Sequence, residues 1–415
     1  MSTYDFACLQ PDARIDDCGR REDRLGNGDC RISKEVAVPA RTHRDLSGNE
    51  RMILEIVRRQ GSVMRSQVAP STNLTQPSVH RIVDALLEEG LLMLGDAVIH
   101  GRGKPSPALM LQPDAAYTIG ISVNTDSISF GLCDFACRIV HEEMLEMPPT
   151  RRRDTLFALK EQIRRALAGR GIAASQLVGV GFSMAGFFVG ADRRFNAPEP
   201  LTDWSLINLK AELETLFDLP VWTENNATTG AIGESAVGAG RRFATFGYLS
   251  FNYGFGGGIV LDGKPFFGAF GNAGEISRVF TVEEGPSRPA LGELLKRLNA
   301  RGLAVANVRE LRQRFDPAWP GVAEWVEEVT PALNRAIDML RAVIDPEAIV
   351  FGGELPRALG QCLAAVAPSP SAPRYGIDAP YPERLVSEIE GDSSILGAAL
   401  IPLMDRYFAW SLPRP

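Results

Sequence analysis

The sequence lacks any apolar run of the roughly 18 residues that a bilayer-spanning helix needs. Its longest candidate, residues 177–190, is short and broken by glycine. The first residues carry Asp5, Asp12, Asp16 and Asp17 and no apolar core of a secretion signal, so a cytoplasmic protein is expected. Cysteine is sparse. The six residues Cys8, Cys18, Cys30, Cys133, Cys137 and Cys362 include no C-x-x-C pair, which excludes a disulfide scaffold. Cys8, Cys18 and Cys30 have no histidine nearby, and no metal site is expected from them. Cys133 and Cys137 read as small buried apolar groups. An excess of positive charge is missing too: the net charge is −7. What is there is an ordinary globular balance, 45% hydrophobic and 23% charged over 415 residues. That excludes bulk disorder, collagen and rods, and the length suggests two or three domains.

The charge is unevenly spread. Residues 1–45 carry −1, residues 46–112 carry +1 and the remainder carries −7. A near-neutral module on an acidic body suggests a division of labour. Residues 1–45 are polar and aperiodic and read as a disordered extension. Order begins at Ser47, which forms a capping box with Glu50 ahead of an apolar stripe of Met52, Ile53, Ile56 and Val57 that Gly61 ends. A second short helix is expected over 63–69, and Ser71-Thr72-Asn73-Leu74 is a turn. Thr75 is the expected cap of a third helix, with Pro77 in its first turn. Val79, Ile82, Val83, Leu86 and Leu87 give it one buried face, and Gly90 stops it. Strands at 91–94 and 97–100, split by a turn at Gly95-Asp96, lead to a tip at 101–105 and a return strand at 107–111. Three helices and a hairpin make a winged helix-turn-helix over 46–112.

That module points to double-stranded DNA. With Val83 at the centre of the buried face, Ser78 and Arg81 fall opposite it, and Gln76 projects from the helix start. Recognition helices read base edges with such residues, arginine favouring guanine and glutamine adenine. Arg65 on the second helix is placed to hold phosphate, and Arg102 and Lys104 at the tip suit a minor groove. A charge of only +1 implies few contacts and operator binding as a homodimer or homotetramer. The competing reading is a winged helix that contacts protein, with Arg81 merely solvated.

From Tyr117 the pattern changes to strands at 118–123, 127–133 and 138–144, then alternating helices and strands. Helices are expected over 154–168, 206–217, 227–239, 290–314, 319–343 and 394–407, and strands over 177–182, 221–223, 246–251, 258–261 and 348–351. This reads as two α/β lobes, 113–240 and 241–415, the last helix returning to the first lobe. The second half shows no copy of the first in its residues.

The order of motifs resembles the ROK family of repressors and sugar kinases. Residues 101–105 are similar to its wing. Glu224-Asn225-Asn226-Ala227, followed by Gly233-Glu234, resembles its sugar-site motif. The glycine stretch from Gly254 to Gly258, Gly274-Glu275, Gly352-Gly353 and Leu396-Gly397-Ala398-Ala399 match later landmarks. The resemblance covers about 46–405. It implies an α/β, two-lobed, actin-like (sugar-kinase-like) ATPase fold preceded by the winged helix-turn-helix. It also implies a sugar pocket at Asn225, Asn226, Glu234, Glu275 and Glu293, with Trp204 near the sugar loop.

The departures from the family pattern carry as much weight. The resemblance implies a general-base Asp where this chain has Asn226, and an amide does not take a proton at neutral pH. The first phosphate loop, Asp-x-Gly-Gly-Thr in the family, is Ser122-Val123-Asn124-Thr125-Asp126 here. The metal-serving Asp is lost to Ser122, and Asp126 repels phosphate. The family's zinc ligands fall on Arg278, Glu284, Pro286 and Leu291, which cannot form a tetrahedral site. Ala197-Pro198-Glu199-Pro200 lacks an amide expected for the sugar. Asn225 and Asn226 serve the pocket, cap the following helix, or both. The glycines 254–258 cradle an anion or, the favoured reading, make a tight hairpin. The expectation is a transcriptional regulator, a repressor, that senses a carbohydrate without phosphorylating it, needs no cofactor and is not an enzyme. A sugar kinase with a fused DNA-binding domain and an effector-blind scaffold for oligomerisation or docking are the alternatives.

Overall fold

The computed structural model describes residues 44–98, 106–369 and 375–409. The wing tip, with Arg102 and Lys104, lies outside them, as does the segment 1–43. No helix among the described residues is long and apolar enough to cross a membrane.

The first elements are α1 (Gly48–Gln60), α2 (Arg65–Val68), α3 (Gln76–Glu88), β1 (Leu92–Val98) and β2 (Ser106–Leu111). The capping box forms: the Glu50 amide donates to the Ser47 hydroxyl at 3.4 Å, and the Ser47 amide donates to the Glu50 carboxylate at 2.7 Å. Arg44 and this cap hold the Glu50 carboxyl down to about 2. Gly61, at φ +71°, ends the helix in a conformation that favours glycine. Ile53, Leu54, Val57, Val79, Val83 and Leu86 are buried in the same core. Thr75 stands at the N-cap position of α3 as expected, although its hydroxyl meets Ser78 at 3.0 Å and caps no backbone amide. One expectation needs correction. Gly95-Asp96 is not a turn: β1 runs through it, with a shift of register between Leu94 and Ala97 that marks a bulge.

The body contains two five-stranded sheets. The first is built from β3 (Tyr117–Val123), β4 (Ile128–Asp134), β5 (Ile139–Met144), β6 (Leu177–Met184) and, after the short hairpin β7 (Phe187–Val189) and β8 (Arg194–Asn196), β9 (Val221–Asn225). Its spatial order is β5-β4-β3-β6-β9. Helices α4 (Arg152–Arg170), α5 (Leu209–Phe217) and α6 (Asn226–Val237) interleave with the strands. The second sheet uses β10 (Phe246–Phe251), β11 (Phe255–Leu261), β12 (Lys264–Pro265), β13 (Ala348–Gly353) and β14 (Glu383–Val386), in the order β12-β11-β10-β13-β14. Helices α7 (Leu291–Ala300), α8 (Val308–Arg314), α9 (Val322–Ile344), α10 (Arg357–Ala364) and α11 (Ser393–Tyr407) complete the chain.

Both sheets have the same topology: an antiparallel meander followed by two parallel strands. The duplication invisible in the residues is therefore plain in the backbone. Helix α11 packs on the first sheet, because Gly120 and Gly181 leave no side chain in its way; a methyl at Gly181 would collide with the Ala398 carbonyl. Cys133 and Cys137 are buried packing groups, and burial pushes the Cys137 thiol up to about 12. Helix α5 begins three residues later than the sequence suggests. Leu206 adopts φ +59°, and Asn208 caps the helix by accepting from the Ala211 amide at 3.2 Å.

Candidate functional site

Helix α3 presents Gln76 and Arg81 to solvent, with Ser78 half-buried beside its start. His80 lies on the same exposed face, one turn from Gln76, and sequence reasoning passed over it. Arg65 is not a free cation. It forms an ion pair with Asp84 at 2.6 Å and so braces α2 against α3.

A second site opens between the sheets as a cleft of about 370 Å³, within the size range of small-ligand pockets. Asn225, Asn226, Glu275 and Glu293 line it. Asn225 is the N-cap of α6: its Oδ1 accepts from Ala227 at 2.8 Å and Thr228 at 3.3 Å, while its Nδ2 donates to the Gly186 carbonyl. It caps and lines at once. Asn226 is more committed still. Its Oδ1 accepts from Ser183 at 2.6 Å, and its Nδ2 donates to Asn124 Oδ1 at 2.6 Å and to the Val123 carbonyl at 3.2 Å. Glu275 is largely enclosed; burial raises its carboxyl above the ordinary range, and the Ser277 hydroxyl donates to it. Glu293 meets Lys296 at 2.8 Å.

One expected member stands elsewhere. Glu234 is fully buried near the C-terminal end of α6, where it accepts from Ser387 and, at 3.0 Å, from the Ala239 amide. Two helical turns separate it from Asn226, and they carry it away from the cleft. Trp204 is a core residue: its ring stacks on Phe182 and its indole donates to the Pro149 carbonyl at 2.5 Å. The cleft instead receives Asn196, Tyr253 and Arg288, none singled out from the sequence. The unusual residues at 278–291 were the available signal for Arg288.

Behind Asn124 in the cleft wall lies a buried polar network. Asp392, the cap of α11, accepts from Ser122 at 2.9 Å and Asn124 at 3.2 Å through one oxygen, and from the Ser394 amide at 2.9 Å through the other. Asp126 accepts from the Val308 amide at 3.0 Å, at the first turn of α8. The glycines behave as a hairpin and more. The turn is Asn252 to Gly254, where the Asn252 amide donates to the Gly254 carbonyl at 2.9 Å. Gly256 to Gly258 lie inside β11, and a methyl at Gly258 would press on Ala227 and Ala231 of α6 at 2.6–2.7 Å.

Residues 278–291 hold their shape without metal ligands. Arg278 lies over the Phe187 ring at 4.5 Å, Glu284 pairs with Arg335 at 2.8 Å, and Leu291 is core. The amides of Leu291 and Gly292 donate to the carbonyls of Asn252 and Tyr253 at 2.9 and 3.0 Å. No metal-holding group of His, Cys, Asp or Glu exists among the described residues.

The description "ROK family" attaches to the family model that matches residues 118–403. The chain belongs to the ROK family. It is 27% identical to an uncharacterized protein, y4fQ, of Sinorhizobium fredii over 88% of this chain and 93% of that one. It is 25% identical to the xylose repressor of Bacillus subtilis over 57% of this chain and 62% of the repressor. Among solved structures, a ROK family transcriptional regulator described as a homolog of the E. coli MLC protein superposes with a TM-score of 0.62 at 17% identity, covering 86% of this chain and 94% of that one. That likeness establishes the sugar-kinase-like α/β fold. ROK relatives of this chain include both repressors and glucokinases, so membership alone does not choose between regulation and phosphoryl transfer.

Proposed function

We propose that this ROK protein is a cytoplasmic transcriptional repressor that binds operator DNA as a homodimer or homotetramer and senses a carbohydrate without phosphorylating it. The observation that carries the reading is helix α6. Its N-terminus, Asn225 and Asn226, lines the cleft, and its last turn reaches the DNA module, where Arg58 of α1 donates to the Ala236 carbonyl at 3.2 Å. A ligand that moves the start of α6 therefore bears directly on α1.

Three features speak against phosphoryl transfer. The base position is filled by Asn226, whose amide is consumed by Ser183, Asn124 and Val123. The first loop offers Ser122 in place of a metal-serving carboxylate. Asp392 turns its own carboxylate onto that loop, where a phosphate would be repelled. The residues present do not fit a nucleotide with its metal.

Gln76, Ser78 and Arg81 are the base-reading candidates, with Arg102 and Lys104 at the wing, and Arg65 acts by bracing the helices. Asn225, Asn226, Glu275 and Glu293 contribute to the carbohydrate site. The test pairs two assays on the purified protein: binding to DNA from the neighbouring promoter, and sugar-dependent ADP formation. The reading expects Arg81→Ala to weaken DNA binding by about tenfold or more and no ADP above background. Equal binding by wild type and variant, or sugar-dependent ADP, overturns it.

A further inference from the structure

Most polar groups of the cleft are already spent on the protein, as the bonds of Asn225 and Asn226 illustrate. Arg288 is the exception with charge. It follows the turn Gly285–Ser287 and precedes the buried pair Pro289 and Ala290. The anchored amides of Leu291 and Gly292 fix that segment against the glycine hairpin. The guanidinium is half-buried, donates through Nε to the Gly285 carbonyl at 3.3 Å, and forms no ion pair among the described residues. The half-buried Arg193 and the more deeply enclosed Arg58 and Arg152 each meet a carboxylate.

The two carboxylates that share the cleft do not answer it. Glu293 is engaged by Lys296, and Glu275 is bonded by Ser277. A partly desolvated fork of donors therefore faces an open cleft with no acceptor opposite. Carboxylates and phosphates are the groups that match such a fork, through two parallel charge-assisted hydrogen bonds. A neutral sugar would leave it unanswered.

We propose that the ligand of this cleft is a carbohydrate carrying one anionic group, held by Arg288. Its hydroxyls meet Asn196, Tyr253, Glu275 and Glu293. The proposal rests on the reading of the cleft as a carbohydrate site and narrows the class. A uronic or aldonic acid and a sugar phosphate share the required chemistry, and the experiment separates them.

The test measures dissociation constants from the ligand-induced rise in melting temperature of the full-length protein. The probes are glucose, xylose, glucuronate, galacturonate, gluconate and glucose 6-phosphate. Arg288→Gln and Arg288→Lys are measured beside the wild type. One anionic sugar is expected to bind about tenfold or more tighter than its neutral parent. Arg288→Gln should abolish that preference and Arg288→Lys should keep part of it. Whether a carboxylate or the phosphate shows the preference identifies the source. If a neutral sugar binds as tightly as its anionic derivatives, this inference falls and the carbohydrate reading stands. If no sugar of either kind binds, both fall. Should Arg288→Gln not fold, the wild-type comparison of acid with neutral parent still decides.

Discussion

Arg58 and Ala236 join the N-terminal three-helix module to the body: the guanidinium Nη1 donates to the backbone carbonyl across 3.2 Å. The side chain is almost wholly enclosed, pairs with Glu55 at 2.8 Å and lies 5.7 Å from the centre of the Phe408 ring. Ala236 lies ten residues along α6 from Asn226 in the cleft, a span of roughly 15 Å at 1.5 Å per residue. The helix is buried from Asn226 to Ala236, so it moves as a packed rod or not at all. The double variant Glu55→Gln/Arg58→Met removes both charges together and so avoids stranding a buried carboxylate. It should bind DNA and sugar separately about as well as wild type, while the factor by which sugar changes DNA affinity falls several-fold, within the range of about 5- to 150-fold typical of coupled sites. DNA anisotropy with and without sugar measures it. An unchanged factor would show that coupling takes another route.

Replacing Asn226 by Asp does not recreate a kinase. The carboxylate would face the Val123 carbonyl and Asn124 Oδ1, both acceptors. Asn124 cannot turn its amide around without giving up its bond to Asp392. The variant should lose about 1–3 kcal/mol of stability at neutral pH and form no ADP. Thermal unfolding and an ADP assay check both halves of the statement.

Helix α11 depends on glycine. A methyl at Gly397 would collide with the Thr229 carbonyl of α6, and one at Gly181 with the Ala398 carbonyl. Neither neighbour is a flexible side chain, so the backbones must separate. Gly397→Ala should cost about 3 kcal/mol or more, or prevent folding, whereas Gly169→Ala, with nothing near its added methyl, should be close to neutral. Denaturant unfolding of the two variants tests the contrast.

Among the carboxyls that burial raises, Glu354 and Glu224 bear on the response to alkali. Burial, then Asp392 and Asp126, push Glu354 up to about 8, against the pull of Arg312 and Arg309. Burial pushes Glu224 up to about 7 despite Arg193. Both lie above the unfolded value of about 4.3, so the unfolded chain releases these protons first. Their contribution is complete below that value and is lost as pH rises through 7 and 8. Glu354→Gln keeps the shape of the neutral acid and cannot ionise. It should melt several degrees above wild type at pH 8 and close to it near pH 5. Parallel pH profiles for the two proteins would refute the assignment.

Local chemistry was legible where it is periodic or has a fixed spacing. The Ser47–Glu50 cap, the stripe of Val79, Val83 and Leu86, and the strands beginning at Tyr117 and Phe246 need only neighbours to form. The repeated sheet order was not legible, because topology is set by backbone pairing while the paired strands differ: β5 has five half-buried residues and one exposed, and β12 only two residues in all. Helix α10 and strand β14 escaped notice, being eight and four residues long. At the site, motif order located Asn225, Asn226, Glu275 and Glu293. It put Glu234 beside them, since a motif says nothing of how far along a helix the cleft reaches. Arg288 escaped because it lies in an aperiodic loop, where spacing carries no direction.

In the proposed function, sugar binding changes DNA binding without chemistry on the sugar. The most direct test is the fluorescence anisotropy of a labelled promoter fragment, held near half-saturation by the full-length protein, during titration with the sugar that raises the melting temperature. The expected result is a saturable change in bound DNA that neither requires Mg-ATP nor is altered by it. A sugar that binds but leaves the DNA signal flat, or a change that appears only with ATP and is accompanied by ADP, would contradict it.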